Sequence, residues 1–190
     1  MSAEEGFAQL PRAAVRKSRA ILIRRYLLGE SSLIVHWCTA EHGLLKTVAR
    51  GARRPRSPFA GRLDLFFTAD ISWTPSRRSD LHTLNEAILI APRLGLRDSY
   101  ARTLAAAYFT SMVDLVVERE APVPEFHDLL GRALDWLDGH EPTAAAVRRF
   151  EDRTAELLGI APCGASGAAF LLDVFHRLPP QRDDLFALFA

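Results

Sequence analysis

The sequence is poor in cysteine and has no long hydrophobic run. Among its 190 residues only Cys38 and Cys163 are cysteines, and two thiols cannot form a disulfide network or a four-cysteine zinc cluster. We expect both thiols to be reduced. No stretch approaches the roughly 20 apolar residues that a membrane-spanning helix needs. The start, M-S-A-E-E-G-F, lacks the basic and apolar parts of a signal peptide. These absences predict a cytoplasmic protein with no bound metal and no membrane partner.

Patterns typical of catalysis are also missing. The six histidines show no metal-site spacing, and the chain has no H-E-x-x-H motif, acidic ladder or Walker loop. Ser31 and Ser32 have no histidine that the sequence places as a general base. We interpret residues 29–32, G-E-S-S, as a tight turn whose polar side chains bond exposed backbone groups. The sequence therefore predicts a protein that is not an enzyme and needs no cofactor.

The charge is balanced overall but divided along the chain. The 24 basic and 23 acidic residues nearly cancel. Residues 1–80, however, hold 14 Lys and Arg against 7 Asp and Glu, whereas residues 81–190 hold 10 against 16. Such a division favours two units with different partners. The basic part would attract a polyanion, and the acidic part suits protein contacts or serves solubility.

Five short segments of the first half have the alternation of β-strands: residues 21–26, 31–39, 43–50, 65–73 and 81–90. The fifth could end as early as Glu86. Short turns join most of them, and five strands in about 70 residues indicate a small barrel. The expected architecture is the five-stranded oligonucleotide-binding (OB) barrel, which commonly binds single strands.

The second half changes to a helical period after Pro92 and Gly95. The expected helices are one capped by Asp98 and reaching about residue 117, one over residues 126–137 that Gly139 ends, one from Thr143 to Gly159, and two short ones within residues 166–190. The predicted fold class is α+β. An OB-fold nucleic-acid-binding domain would occupy residues 1–92, and an all-α helical domain residues 93–190.

An arginine-rich loop follows the third predicted strand, with Arg50, Arg53, Arg54 and Arg56 within seven residues. Each guanidinium can grip a phosphate through a planar pair of donors, and Gly51 would let the backbone approach closely. Other basic residues could extend this track: Lys46 on the third strand, Arg19, Arg24 and Arg25 on or beside the first, and Arg77 and Arg78 before the fifth. The alternative is a solvated, mobile loop that binds nothing specific.

Aromatic side chains near the basic strands could stack on bases, and the candidates are Tyr26, Phe59 and Phe66. Phe59 could equally pin the long loop to the barrel. Trp37 shares its strand face with Leu33 and Val35, so we interpret it mainly as a core residue.

Five fragments appear in an order and spacing that resemble the bacterial DNA repair protein RecO family. They are G-E-S-S at residues 29–32, E-H-G at 41–43, A-R-G-A-R-R at 49–54, R-R-F-E at 148–151 and E-L-L-G-I-A-P at 156–162. The resemblance implies an OB barrel followed by a helical domain. It also implies a recombination mediator, cytoplasmic and nucleoid-associated, that binds single- and double-stranded DNA and anneals complementary strands. Such a mediator would engage the acidic tail of the single-strand-binding protein (SSB) and, with RecR, help load the recombinase onto SSB-coated DNA.

The chain departs from the family pattern in its second half. Some members carry a four-cysteine zinc cluster, whereas here Cys163 stands alone, so no metal is expected. The helical domain is expected to be short for the family. Arg102, Arg148 and Arg149 lie on predicted helices, where they could flank a groove for an acidic tail or simply be solvated helix surface.

Two other functions remain open on the residues alone. One is an RNA-binding OB-fold module, because the barrel does not by itself distinguish DNA from RNA. The other is an adaptor whose arginine loop docks an acidic protein tail instead of nucleic acid.

Overall fold

The computed structural model describes residues 14–162 and 164–190. Within them, five strands are followed by five α-helices. The strands are β1 (Arg16–Leu28), β2 (Ser32–Thr39), β3 (Gly43–Ala49), β4 (Thr68–Thr74) and β5 (Leu81–Ala91). The helices are α1 (Tyr100–Val116), α2 (Pro124–Gly139), α3 (Ala144–Leu157), α4 (Gly167–Phe175) and α5 (Gln181–Leu188), with a 3-10 turn at Leu94–Arg97 before α1. The predicted α+β class is confirmed.

The five strands close into an OB-type barrel in the order β1-β2-β3-β5-β4. β1 pairs antiparallel with both β2 and β4, and a parallel pairing of β3 with β5 completes the ring. Because β1 forms hydrogen bonds with β2 along its second half and with β4 along its first half, it is 13 residues long and extends beyond the predicted residues 21–26 at both ends. β5 continues past Glu86 to Ala91 because it stays paired with β4.

The predicted strand over residues 65–73 is wrong at its start, because β4 begins only at Thr68. Phe66 has a left-handed backbone with φ of 70°, a conformation that no regular strand contains. Its N–H still donates to the Leu22 carbonyl of β1 at 2.8 Å. The inward alternation therefore holds only from Ala69 through Ile71 to Trp73, all of which are buried.

Helix boundaries follow the predicted caps with one exception. Ser99, not Asp98, caps α1 by accepting a hydrogen bond from the Arg102 backbone N–H. Thr143 caps α3 as expected, accepting from the Ala146 N–H. None of the helices described here combines the length and the apolar character required to cross a bilayer.

Two hydrophobic cores organise the protein. The barrel interior holds Trp37, which is fully buried and donates its indole N–H to Thr47 Oγ1 at 2.8 Å. The second core lies among the helices and also includes barrel residues Ile21, Cys38 and Leu44. The helices therefore pack on the barrel. Burial raises the pKa of the Cys38 thiol to about 12, so this thiol is unreactive at neutral pH, whereas Cys163 lies outside the described residues.

A buried arginine fixes the junction between the barrel and the helices, and nothing in the sequence pattern indicated it. Arg93 donates through Nη1 to the Phe66 carbonyl at 2.7 Å and to Thr68 Oγ1 at 2.8 Å. Its Nε donates to the Asp135 carboxylate of α2 at 2.7 Å. One side chain thus ties the start of β4 to α2.

The connection from α1 to α2 lies against the β2–β3 turn. The Val123 N–H donates to the Ala40 carbonyl at 2.9 Å, and the Glu120 N–H donates to the Leu44 carbonyl at 3.3 Å. Gly43 sits at this contact with φ of 58°, and a Cβ placed there would lie 2.2 Å from the Ala121 carbonyl oxygen. The E-H-G fragment therefore serves the packing of the helices on the barrel.

We expect Gly43→Ala to destabilise the fold more than a glycine replacement in open space. Gly29 has almost the same φ, 59°, but nothing lies within 4 Å of its added Cβ. Gly29→Ala should therefore cost only the left-handed backbone strain, about 1 kcal/mol. Gly43→Ala should exceed it by about 2 kcal/mol because the backbone of Ala121 must move. Urea unfolding of the two variants measures this difference, and equal free energies of unfolding would contradict it.

Candidate nucleic-acid interface

An open groove of about 480 Å³ lies at the end of the barrel where β3 runs into the arginine loop. The end of β1, the start of β2, the end of β3, the end of β4 and the start of β5 all contribute to it. Its lining residues are Leu28, Ser32, Val48, Arg50, Thr74, Pro75, Ser76, Leu81 and Thr83. The helices pack at the opposite end of β3, beside Gly43 and Leu44. This groove is therefore remote from the helix–barrel contact.

The arginine loop is held to the barrel at both ends. The Arg53 N–H donates to the Ser31 carbonyl at 2.9 Å, and the Gly51 N–H donates to Ser32 Oγ at 3.2 Å. Further along the loop, Phe59 and Leu63 are buried in the barrel core. The G-E-S-S turn thus bonds backbone groups, as we interpreted it. Phe59 pins the loop, which favours an ordered loop over a mobile one.

The loop arginines are exposed and keep their charge uncompensated. No carboxylate of the described chain lies within ion-pair distance of Arg50, Arg53, Arg54 or Arg56. Arg53 donates through Nη1 only to the Glu30 backbone carbonyl, at 3.1 Å. Since a carbonyl carries no net charge, it does not cancel that of the guanidinium. One of the four positive charges, that of Arg50, lines the groove, and the other three are exposed on the loop that follows it.

Other basic residues of the predicted track have internal carboxylate partners. Lys46 Nζ lies 2.8 Å from the Asp80 carboxylate, and Arg19 Nε lies 2.9 Å from that of Asp70. Arg24 Nε lies 3.0 Å from the carboxylate of Asp114 in α1, and Arg25 Nη2 lies 3.0 Å from that of Asp64. The Lys46 hydrogen bond, with Arg119 nearby, lowers the pKa of the Asp80 carboxyl. These pairs cancel positive charge locally, so the uncompensated part of the track is smaller than the sequence suggested.

Arg77 and Arg78 are exposed in the β4–β5 turn, directly after Ser76, which lines the groove. The Arg78 N–H donates to Ser76 Oγ at 3.2 Å. Arg50 and the first residues of this turn therefore line the same groove, as a shared phosphate track requires.

Two of the three predicted stacking rings are inaccessible. Phe59 is 6% exposed within the barrel core, and Phe66 is 7% exposed within the core that the helices share. Neither ring offers a face to a base, and the prediction is wrong for both. Phe66 is buried where its left-handed backbone breaks the alternation of the predicted strand. Tyr26 remains 46% exposed, with its ring edge-on to His36 at 5.2 Å between centroids.

Sequence reasoning assigned Ser32 to a turn only, and it missed the other residues that carry hydroxyl groups in the groove, which are Thr74, Ser76 and Thr83. All of them lie at a strand end or in a turn. Many solvated serines and threonines occupy such positions, so position alone does not identify a binding residue. Only the closed barrel brings the start of β2, the end of β4 and the start of β5 to one place.

The helix arginines proposed for a protein partner do not form one free cluster. Arg102 Nε lies 2.9 Å from Glu141, and the Arg148 guanidinium lies over the Phe186 ring at 5.2 Å. Arg149 is exposed on α3. In the described ranges no three His, Cys, Asp or Glu side chains are grouped so as to hold a metal ion.

Comparison with known proteins gives matches along most of the chain. The family model described as "Recombination protein O N terminal" matches residues 14–93, and the one described as "Recombination protein O C terminal" matches residues 97–182. The boundary between the two matches falls at the barrel–helix junction.

Curated relatives carry the same description. The chain is 34% identical over 157 residues to "DNA repair protein RecO" of Syntrophotalea carbinolica, covering 80% of this chain and 61% of that protein. It is 32% identical over 143 residues to the protein of that name from Rhodopirellula baltica, covering 75% and 53%. For the Cyanothece protein, identity is 32% over 148 residues, covering 77% and 50%. The chain thus spans half to three-fifths of the length of these relatives. With both halves matched in order, this chain belongs to the RecO family.

Proposed function

We propose that this chain is a non-catalytic DNA-binding recombination mediator that holds the DNA backbone at the arginine-rim groove, meaning the groove together with Arg50, Arg53, Arg54 and Arg56. One observation carries the proposal: these four exposed arginines, of which Arg50 lines the groove and the others lie on the loop that follows it, have no carboxylate partner among the described residues. Like charges crowded in this way are stabilised by an anion placed across them.

Binding at such a site is mainly electrostatic. Each arginine that neutralises a phosphate releases condensed counterions, so affinity falls as salt rises and depends little on sequence. Gly51, with φ of 65°, shapes the backbone at the start of the loop. Arg77 and Arg78 extend the track along the β4–β5 turn. Lys46, Arg24 and Arg25 contribute where phosphate displaces their carboxylate partners.

The proposal covers single- and double-stranded DNA, since both present the same phosphates. Strand annealing requires no nucleotide hydrolysis, because a cationic surface screens the repulsion between two strands. The relatives are named as DNA repair proteins. We extend to this chain a role in repair and recombination, at the nucleoid in the cytoplasm.

Protein partners belong to the same proposal. The acidic tail of SSB and the partner RecR would join this chain in loading the recombinase onto SSB-coated DNA. We place these contacts on the helical domain of residues 93–190, apart from the DNA-binding domain of residues 1–92. The exposed Arg149 of α3 is available to an acidic tail.

The experiment compares a loop variant with a matched control. Arg53→Ala combined with Arg54→Ala removes two phosphate contacts. Fluorescence anisotropy with a single-stranded oligonucleotide should show an affinity about 25-fold lower at about 0.1 M salt, with a salt slope shallower by about 1.4. Arg149→Ala combined with Arg177→Ala removes the same charge from the helical part and should leave both quantities unchanged.

Three outcomes separate the candidate functions. Equal affinity of the loop variant and the wild type would remove this loop from the DNA site. Preference for an RNA oligonucleotide over the matched DNA would favour an RNA-binding module. Binding of an acidic peptide at the loop, with DNA ignored, would favour an adaptor for acidic tails.

A further inference from the structure

We infer that the arginine-rim groove holds a single DNA strand by its sugar–phosphate backbone and leaves the bases facing solvent. This inference rests on the proposed DNA-binding function and specifies which part of the strand the site recognises. The proposed function alone leaves open whether bases are stacked on the protein or free.

The chemistry of the groove matches a backbone and not a row of bases. Its polar side chains are those of Arg50, Ser32, Thr74, Ser76 and Thr83. The Thr74 hydroxyl is already hydrogen-bonded to the Asn85 side chain. Guanidinium and hydroxyl donors bond phosphate oxygens and position a strand without reading its sequence. Ser32 Oγ accepts from the Gly51 N–H at 3.2 Å, which leaves its own hydrogen available to a phosphate. The remaining lining is aliphatic, from Leu28, Val48, Pro75 and Leu81.

Within residues 14–162 and 164–190, no aromatic platform lines the groove. None of its lining residues carries an aromatic ring. The two phenylalanines nearest in sequence to the loop arginines, Phe59 and Phe66, are both buried. Tyr26 contacts a different depression, shared with Arg24, Arg25 and Leu65. Single-strand binders that grip bases do so with exposed aromatic side chains, so base stacking is not the means of binding in this groove.

The position of the arginines sets the path of the phosphates. Arg50 lines the groove, and Arg53, Arg54 and Arg56 are exposed on the loop that leaves it. Because the described lining offers no aromatic ring on which a base could stack, a strand whose phosphates follow these guanidiniums leaves its bases in water. Bases held in this way stay available to a complementary strand. The site therefore suits strand annealing, because pairing does not require the first strand to leave the protein.

The test compares two single strands with the same number of phosphates. One is an oligothymidine of about 12 nucleotides, within the range that one OB fold covers, and the other replaces every base by an abasic tetrahydrofuran unit. Anisotropy with the full chain should give affinities equal within about twofold. If bases stacked on the protein, loss of even one stacked base would lower affinity about 5-fold or more. Bound oligothymidine should also react with permanganate as fast as the free strand.

The outcomes distinguish this inference from the function on which it rests. Equal binding of both strands with unprotected thymines supports it. Tight oligothymidine binding with a 5-fold or greater loss for the abasic strand, or with protected thymines, overturns it while DNA binding stands. A loss of oligothymidine affinity in Tyr26→Ala, without a loss for the abasic strand, also overturns it. If neither strand binds, the proposed function itself fails.

Discussion

Glu151→Ala should lower the free energy of unfolding by about 3–5 kcal/mol, the range seen when one partner of a buried ion pair is removed. Glu151 of α3 is 0% exposed. It accepts from the Tyr108 hydroxyl of α1 at 2.6 Å and from Arg182 Nε of α5 at 2.6 Å. Its removal leaves a buried hydroxyl and a partly buried guanidinium without a partner. Because Arg182 retains some contact with water, the loss should lie toward the lower end of the range.

A matched substitution separates this network from an ordinary ion pair. Asp128 of α2 pairs with Arg132 on the exposed surface. Asp128→Ala should therefore change stability by about 0.5 kcal/mol or less. Urea unfolding followed by circular dichroism measures both variants. A Glu151→Ala variant within about 1 kcal/mol of the wild type would show that the three helices do not depend on this carboxylate.

Reversing two loop charges should produce the largest change in DNA affinity. Arg53→Glu combined with Arg54→Glu removes two proposed phosphate contacts and adds two negative charges on the arginine loop. If each glutamate cancels one further contact, single-strand affinity should fall about 600-fold at about 0.1 M salt. Anisotropy titration against the wild type measures this loss.

Lysine replacements give the control for charge alone. Arg53→Lys combined with Arg54→Lys keeps both positive charges and loses the paired donors of the guanidinium. The salt slope should stay close to that of the wild type, while affinity falls far less than in the glutamate variant. Folding is checked by the unfolding midpoint, which should move little, because both side chains are exposed and, among the described residues, Arg53 donates only to the Glu30 backbone carbonyl. A glutamate variant that bound DNA normally would place the DNA elsewhere on the protein.

The sequence predicted the barrel and the helices well because their signals are local. The alternation of apolar and polar residues predicted the bounds of β2 and β3 to within one residue. Thr143 indicated the start of α3, and Gly139 indicated the end of α2. The misplaced start of β4 has a tertiary cause. Phe66 adopts a left-handed backbone where the chain meets both β1 and the Arg93 guanidinium. The residue pattern around Phe66 does not predict such a tertiary contact.

The candidate site was predicted less completely, because charge pairing depends on the folded chain. Arg24 and its partner Asp114 are 90 positions apart in sequence, and only packing of α1 on β1 brings them together. The same holds for Lys46 with Asp80, which the parallel pairing of β3 with β5 makes neighbours. The loop arginines could be identified because no acidic residue lies near them in sequence. That no carboxylate of the described residues pairs with them in the fold is a finding of the structure.

The salt dependence of single-strand binding by the unmodified chain tests the central claim most directly. Four loop arginines that each neutralise a phosphate predict a plot of log affinity against log salt with a slope of about −2.8 or steeper. Oligothymidine anisotropy over a salt series gives this slope. An affinity that does not change with salt would contradict an electrostatic grip by the arginine loop.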